Sequence, residues 1–256
     1  MRRERIEADQ ALFAERLAGR AVGARRSLAR ARALAPHLGI DLAGWARRPE
    51  RVLTVVGSKG KGTAATFASV VLAASGLRVG TLTSPGLLGN RERIRVDGRA
   101  ITRQQYEPLV GFVAETVTRV GGSLPGDGYL SPGGLFTLAA LRHFEEQDCD
   151  AVVLEAGMGG ASDEVSLVVP AVAAITAILG EHLGVLGASV GEIAIEKAGV
   201  IRAGTLQVVA AAQRFPEAEL AIAAAAQALG CGLHVVEASD PRVAVALAAM
   251  VAAAGS

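Results

Sequence analysis

The stretch Val52-Leu53-Thr54-Val55-Val56-Gly57-Ser58-Lys59-Gly60-Lys61-Gly62-Thr63 decides how the rest of the chain is read. Its first five residues are apolar or β-branched without interruption, the pattern of a short strand buried on both faces of a parallel sheet. Gly57 to Gly62 breaks that strand, and Thr63 to Ser75 then reads as a helix stopped by Gly76. A strand, a glycine-rich loop and a helix in this order aim backbone N–H groups and a helix N-terminus at an anion. In such a loop Ser58, Lys59, Gly60 and Gly62 would wrap a phosphate chain, Lys61 would reach its terminal groups and Thr63 could offer a hydroxyl to Mg²⁺. The spacing departs from the common G-x-x-x-x-G-K-[ST] pattern, because Gly57 is only three positions before Gly60 and Gly62 intervenes before Thr63. A glycine-rich turn without nucleotide is the alternative that these residues leave open.

Outward from the loop, strands and helices alternate. Val79 to Thr83 reads as a strand, Ser84 to Asn90 as a loop and Ile94 to Val96 as an extended stretch. Thr102 with Gln105 forms a capping box for a helix to about Arg119, and Ser131-Pro132 opens another to about Gln147. Ala151 to Leu154 and Val172 to Ile178 are further strands; Ser189 with Glu192 caps the helix that carries Lys197 and stops at Gly199. Leu206 to Ala211, Leu220 to Leu229, Leu233 to Val236 and Val243 to Val251 continue the alternation. Upstream, Arg25 to Leu38 reads as a helix ending at Gly39, within a helical, Arg-rich segment 1–50 whose basic face is read as solvated. The expected class is α/β: a P-loop-containing, doubly wound, mostly parallel sheet over 51–256 with a helical N-terminal extension.

Composition narrows the function. At 256 residues, 51% hydrophobic and 20% charged, the chain can bury a large core and is far from disordered composition. The longest apolar run, Val168 to Leu179, contains Pro170 and Thr176 and is too short to span a membrane. A net charge of +1 gives no reason to expect nucleic acid as a partner. Cys149 and Cys231 have no metal or disulfide spacing, which sets a cytoplasmic location as the expectation. The 26 basic residues include only three lysines, Lys59, Lys61 and Lys197, in a chain about one fifth alanine. Where arginine is written almost everywhere, a retained lysine is a candidate for chemistry that only an amine performs.

The loop resembles that of the folylpolyglutamate and dihydrofolate synthase branch of the Mur ligases, whose pattern is close to V-x-G-T-N-G-K-G-[ST]. Further stretches agree in order: Leu82-Thr83-Ser84-Pro85 with T-S-P-H-L, Glu92-Arg93-Ile94 with E-R-I, Val153 to Gly160 with L-E-V-G-L-G-G, and Ile193 to Ile201 with I-A-x-E-K-A-G-I-I. Glu181-His182 stands where those proteins have Asp-His. The resemblance implies a Mur-ligase-like central domain and an enzyme that uses ATP and Mg²⁺ to make an amide. A small-molecule carboxylate becomes an acyl phosphate and is captured by an amino acid amine. It also implies metal ligands at Ser84, Glu155 and His182 beside Thr63, catalytic roles for Lys61, Lys197 and His182, and a CO₂-derived carbamate on Lys197. Chemistry allows the carbamate, since a deprotonated amine takes CO₂ and a guanidinium does not. A cation at a helix C-terminus is the plainer alternative for Lys197.

Departures from the pattern concern the acceptor. The asparagine of the loop is Lys59, the aromatic-Glu pair is Gly133-Gly134, and R-L-D-A-T-N becomes Ala161 to Ser166 with only Asp163 kept. Positions matching substrate contacts are Ser131, Ser162, Asp163 and Glu164. With these altered, a carboxylate other than folate is expected. The resemblance further implies a C-terminal ligase domain, and nothing in this sequence reads as one. The second reading is therefore a non-catalytic ATP-binding subunit completed by a separate chain.

Overall fold

The computed structural model describes residues 25–237. Among them eight strands form one sheet: β1 (Val52–Val56), β2 (Val79–Leu82), β3 (Ile94–Val96), β4 (Arg99–Ala100), β5 (Ala151–Glu155), β6 (Val172–Ile175), β7 (Gln207–Ala211) and β8 (Gly232–Val236). Their order is β4-β3-β2-β5-β1-β6-β7-β8. The run from β2 to β8 is parallel, and β3 and β4 add an antiparallel hairpin at one edge. The helices are α1 (Leu28–Leu34), α2 (Leu42–Ala46), α3 (Lys61–Ala74), α4 (Arg103–Val120), α5 (Pro132–Glu146), α6 (Val190–Ala198) and α7 (Pro216–Ala228).

Every residue of β1 and β5 is buried, the polar Thr54 and Glu155 included. The period-two geometry of the strand splits them between two cores. Val52 and Val56 face a core shared with α1, α4, α5, α6 and α7, whereas Leu53 and Val55 meet Ala65, Ala68 and Leu72 of α3. The mixed α/β sheet expected from the alternation is thus the observed one. The helix read from Arg25 begins at Leu28, because Arg26 forms an isolated bridge with Tyr129 and Ser27 caps the helix; α1 then passes into a tighter 3₁₀ turn, and Gly39 closes it at φ 72°. Ala31, Leu34, Ala35 and Leu38 are fully buried in the first core.

Two further expectations need correction. The strand read to Ile178 ends at Ile175, because the Ile178 amide donates to the Gln213 side chain, outside the ladder. At the start of α6 the Ser189 hydroxyl accepts the Glu192 amide, but the Glu192 carboxylate accepts from Ala188, so the reciprocal box is not closed. The Thr102 and Gln105 box is closed in both directions. The helix read over Val243 to Val251 and residues 1–24 of the N-terminal segment lie outside the described residues.

The order β2-β5-β1-β6 has a consequence for chemistry. Chain direction reverses its progress across the sheet at β1, so the segments leaving these four strands converge on one carboxyl edge, where open α/β sheets bind ligands.

Candidate nucleotide and metal site

The loop leaves β1 through Gly57, at φ 140°, where a Cβ would stand 1.9 Å from the Thr176 hydroxyl. Ser58 ties the loop to the segment after β6: its amide donates to the Ala177 carbonyl at 2.8 Å, and its hydroxyl accepts the Leu179 amide at 3.0 Å. Gly60 turns into the helix at φ 83°, and α3 begins at Lys61 with no side-chain cap. The first-turn amides of this 14-residue helix have no acceptor within the helix, and the macrodipole adds positive potential where they point. Lys59 and Thr63 are exposed, and the Lys61 ammonium lies 3.5 Å from the Ser58 carbonyl. Lys61 and the uncapped amides therefore remain available to an anion, whereas the Ser58 side chain is committed within the protein.

Glu155 ends β5 at 4% exposure. One carboxylate oxygen accepts the Ser84 amide at 2.8 Å, and the carboxylate faces Gly62, where a Cβ would stand 3.3 Å from Oε2. Burial raises its pKa, opposed by the Ser84 amide, Lys61 and Arg93. The Ser84 hydroxyl accepts from Arg93 at 2.9 Å, and the Ser84–Pro85 peptide is cis. Thr63, Ser84 and Glu155 line one cleft of about 810 Å³ between α3 and the β2–β3 connection. Hydroxyls beside a buried carboxylate are hard oxygen donors and fit Mg²⁺, which fills its remaining positions with water and phosphate oxygens. Among the described residues no group of three or more His, Cys, Asp or Glu side chains could hold a metal without such help.

His182 is not brought to this cleft. It is exposed, adopts φ 55°, and its carbonyl closes a turn with the Val185 and Leu186 amides. Its neighbour Glu181 points inward instead, 3.6 Å from the Lys197 ammonium. Lys197 is 1% exposed and donates to the Gly57 carbonyl at 2.8 Å, so the last turn of α6 delivers an amine to the back of the loop. Burial lowers its pKa, Lys61 adds to that, and Glu181 opposes it.

Ser131, Ser162, Asp163 and Glu164 are also gathered, but around a residue that the sequence did not single out. Arg26 donates to Asp163 Oδ2 at 3.2 Å, to the Met158 carbonyl at 2.6 Å and to the Ser162 hydroxyl at 3.1 Å. Ser131 donates to Glu164 at 2.8 Å while capping α5, and Glu196 accepts the Ser162 amide and hydroxyl at 2.8 and 2.6 Å. Glu164 is 1% exposed with its pKa pushed up to about 7, first by burial and then by Asp163. It fills the space above Gly134, where a Cβ would stand 2.2 Å from its carboxyl carbon. Of these four residues Ser162 borders a cavity, of about 290 Å³, beside Arg26 and Glu196.

No family model matches the chain. A probable bifunctional folylpolyglutamate synthase/dihydropteroate synthase of Haloferax volcanii is 40% identical over 169 residues, which are 64% of this chain and 18% of that protein. The dihydrofolate synthase/folylpolyglutamate synthase of Bacillus subtilis is 35% identical over 178 residues, 68% of this chain and 40% of that one. A solved folylpolyglutamate synthase (FPGS) in complex with AMPPCP superposes with a TM-score of 0.75 at 28% identity, covering 90% of this chain and 52% of its own. The chain thus spans about half the length of the solved structure and less of the two curated relatives. Over that shared part, it is related in sequence and in fold to the folylpolyglutamate and dihydrofolate synthases.

Proposed function

We propose that this chain is the nucleotide-binding part of an ATP- and Mg²⁺-dependent amide ligase. One observation carries the reading: a buried lysine and a buried carboxylate, Lys197 and Glu155, are held against the front and back of a loop whose helix N-terminus has no cap. Lys61 and the loop amides would hold the phosphates; Glu155, Thr63 and Ser84 would hold the metal, with His182 joining only if its segment moves. Mg²⁺, when bound, supplies charge neutralisation on the phosphates. Phosphoryl transfer to a carboxylate needs positioning and such neutralisation more than a general base. The acyl phosphate would then be captured by an amino acid amine. Lys197, whose pKa is lowered first by burial and then by Lys61, is suited to carbamylation, which would place an anion between the loop and Glu181. Residues 51–237 would form the nucleotide unit, with the N-terminal segment packed on it, in a cytoplasmic protein; no helix of the described residues is long and apolar enough to cross a membrane.

A substrate other than folate is favoured by the Arg26 network, which already satisfies Ser131, Asp163 and Glu164. That same closure supports the second reading, an ATP-binding subunit whose acceptor site comes from a separate chain. The test is ADP release from Mg-ATP over a panel of carboxylates and amines, with Lys61→Ala as control. Turnover dependent on both co-substrates is the expected result. Tight ATP binding without turnover under any combination would replace the ligase by the subunit, and absence of nucleotide binding would remove both.

A further inference from the structure

At the opposite, amino edge of the sheet lies a cavity of about 450 Å³ that the reading above does not use. It opens where the start of β2, the β3–β4 turn, the first turn of α4 and the last turn of α5 meet. Arg78, Asp97, Arg99, Thr102, His143 and Gln147 form its polar wall. His143 is 3% exposed, and among the described residues its ring has no hydrogen-bond partner. The ring nitrogens are not among the enclosed side-chain atoms that lack a partner, so they are open to the cavity, and a ligand there can bond them directly. Burial lowers the imidazole pKa, with Glu146 opposing and Arg78 adding, so near pH 7 the neutral ring has one N–H to donate.

The surrounding charges give the sign of that ligand. Arg78 uses one nitrogen on the Gln147 carbonyl oxygen at 3.1 Å, and Arg99 is exposed and forms no ion pair among the described residues. Asp97 is the one acid of the wall, and it accepts the Val79 amide at 2.8 Å. Thr102 caps the 18-residue α4 in a closed box with Gln105, so that helix end contributes no free amide to the wall.

We propose that this cavity binds a phosphate group, carried by a small phosphomonoester or free in solution. Two guanidinium groups and an imidazole N–H suit an oxyanion with several acceptor atoms. The volume falls in the range of small-molecule sites. Its place at the amino edge separates it from the loop after β1.

With four histidines in the chain, ring resonances can be followed individually by long-range ¹H–¹⁵N correlation, His143 being assigned with His143→Gln. Inorganic phosphate and glycerol phosphate are titrated separately into the whole chain and into Lys61→Ala, which removes phosphate uptake at the loop. A saturable shift of the His143 ring is expected in both chains, weakened about tenfold or more in Arg99→Ala, a change at an exposed residue. Response to both probes identifies the phosphate group itself, and response to glycerol phosphate alone identifies the ester. No saturable shift with either probe, a shift lost in Lys61→Ala, or equal affinity in Arg99→Ala would overturn the assignment. Because the readout is His143 and not nucleotide, it stands or falls separately from the ligase reading.

Discussion

Two charged clusters sit on the carboxyl side of the sheet, built from similar residues and left in opposite states. Around Arg26, two carboxylates, two serines and a carbonyl face inward and satisfy one another. Around the loop after β1, the start of an uncapped helix, with Gly62 and Thr63, and one face of Glu155 look onto an open cleft. The long helices entered by a hydroxyl have their caps in place, Thr102 on α4, Ser131 on α5 and Ser189 on α6, while α7, entered through Phe215 and Pro216, has no side-chain cap. The helix that starts at Gly60 lacks one where a cap would obstruct an anion. Polar groups left without internal partners identify a site that expects a ligand, whereas polar groups that close on themselves identify structure, whatever their sequence positions suggest.

The comparison is broken most directly at Lys197. Replacing it with arginine keeps a cation at the end of α6 but removes the amine, and it adds volume at a 1% exposed position. If the amine serves the loop chemically, Lys197→Arg and Lys197→Ala should each lower ADP release by about 10²- to 10³-fold, the scale of losing a preorganised charged group. Short carboxylates added to Lys197→Ala would restore part of it. Arginine supporting full turnover would leave Lys197 a structural cation. At the closed cluster the readout changes. Arg26→Ala strands two buried acids, Asp163 and Glu164, and should cost about 3 kcal/mol in urea unfolding while leaving Mg-ADP affinity at the loop within a few-fold. A loss of nucleotide affinity with stability unchanged would show that the Arg26 cluster belongs to the site after all.

How much of this was legible differs between the clusters for a physical reason. The sheet could be read because Val52 to Val56, Ala151 to Leu154 and the glycine-broken ends are local patterns, and local patterns fix parallel strands and the edge at which loops emerge. Lys61, Thr63 and Glu155 followed, since each lies within a few residues of a strand end. Lys197 was legible as a rare residue in a matched motif, but its bond to the Gly57 carbonyl spans 140 positions. Arg26 was not legible. It is one arginine among 23, in a segment that reads as a solvated basic face, and its partners are more than 130 positions away. The missing signal was the vacancy opposite: Gly133-Gly134 beside Glu164 leaves room for a buried carboxylate that needs a cation. The direction of His182 was not legible either, because a turn with φ 55° sends it outward and its neighbour Glu181 inward.

The smallest effect tests whether the closed cluster is closed for charge as well as for hydrogen bonds. Glu164 has its pKa raised from 4.5 to about 7 in the folded chain, so between those values the folded state binds a proton that the unfolded state has released. Stability from this group is therefore fully present below about pH 4.5 and is lost as pH rises through about 7. Glu164→Gln keeps an oxygen for the Ser131 hydroxyl and removes the titration. It should be nearly neutral in urea unfolding at pH 5 and stabilising by about 1 to 3 kcal/mol at pH 8. Destabilisation by the glutamine at pH 8 would mean that the ionised carboxylate is held by Arg26 more strongly than burial penalises it. The 3.9 Å separation between Arg26 and Glu164 Oε2, against 3.2 Å for Asp163, argues for the opposite balance: the guanidinium lies closer to Asp163, and at Glu164 burial outweighs it and keeps the pKa raised.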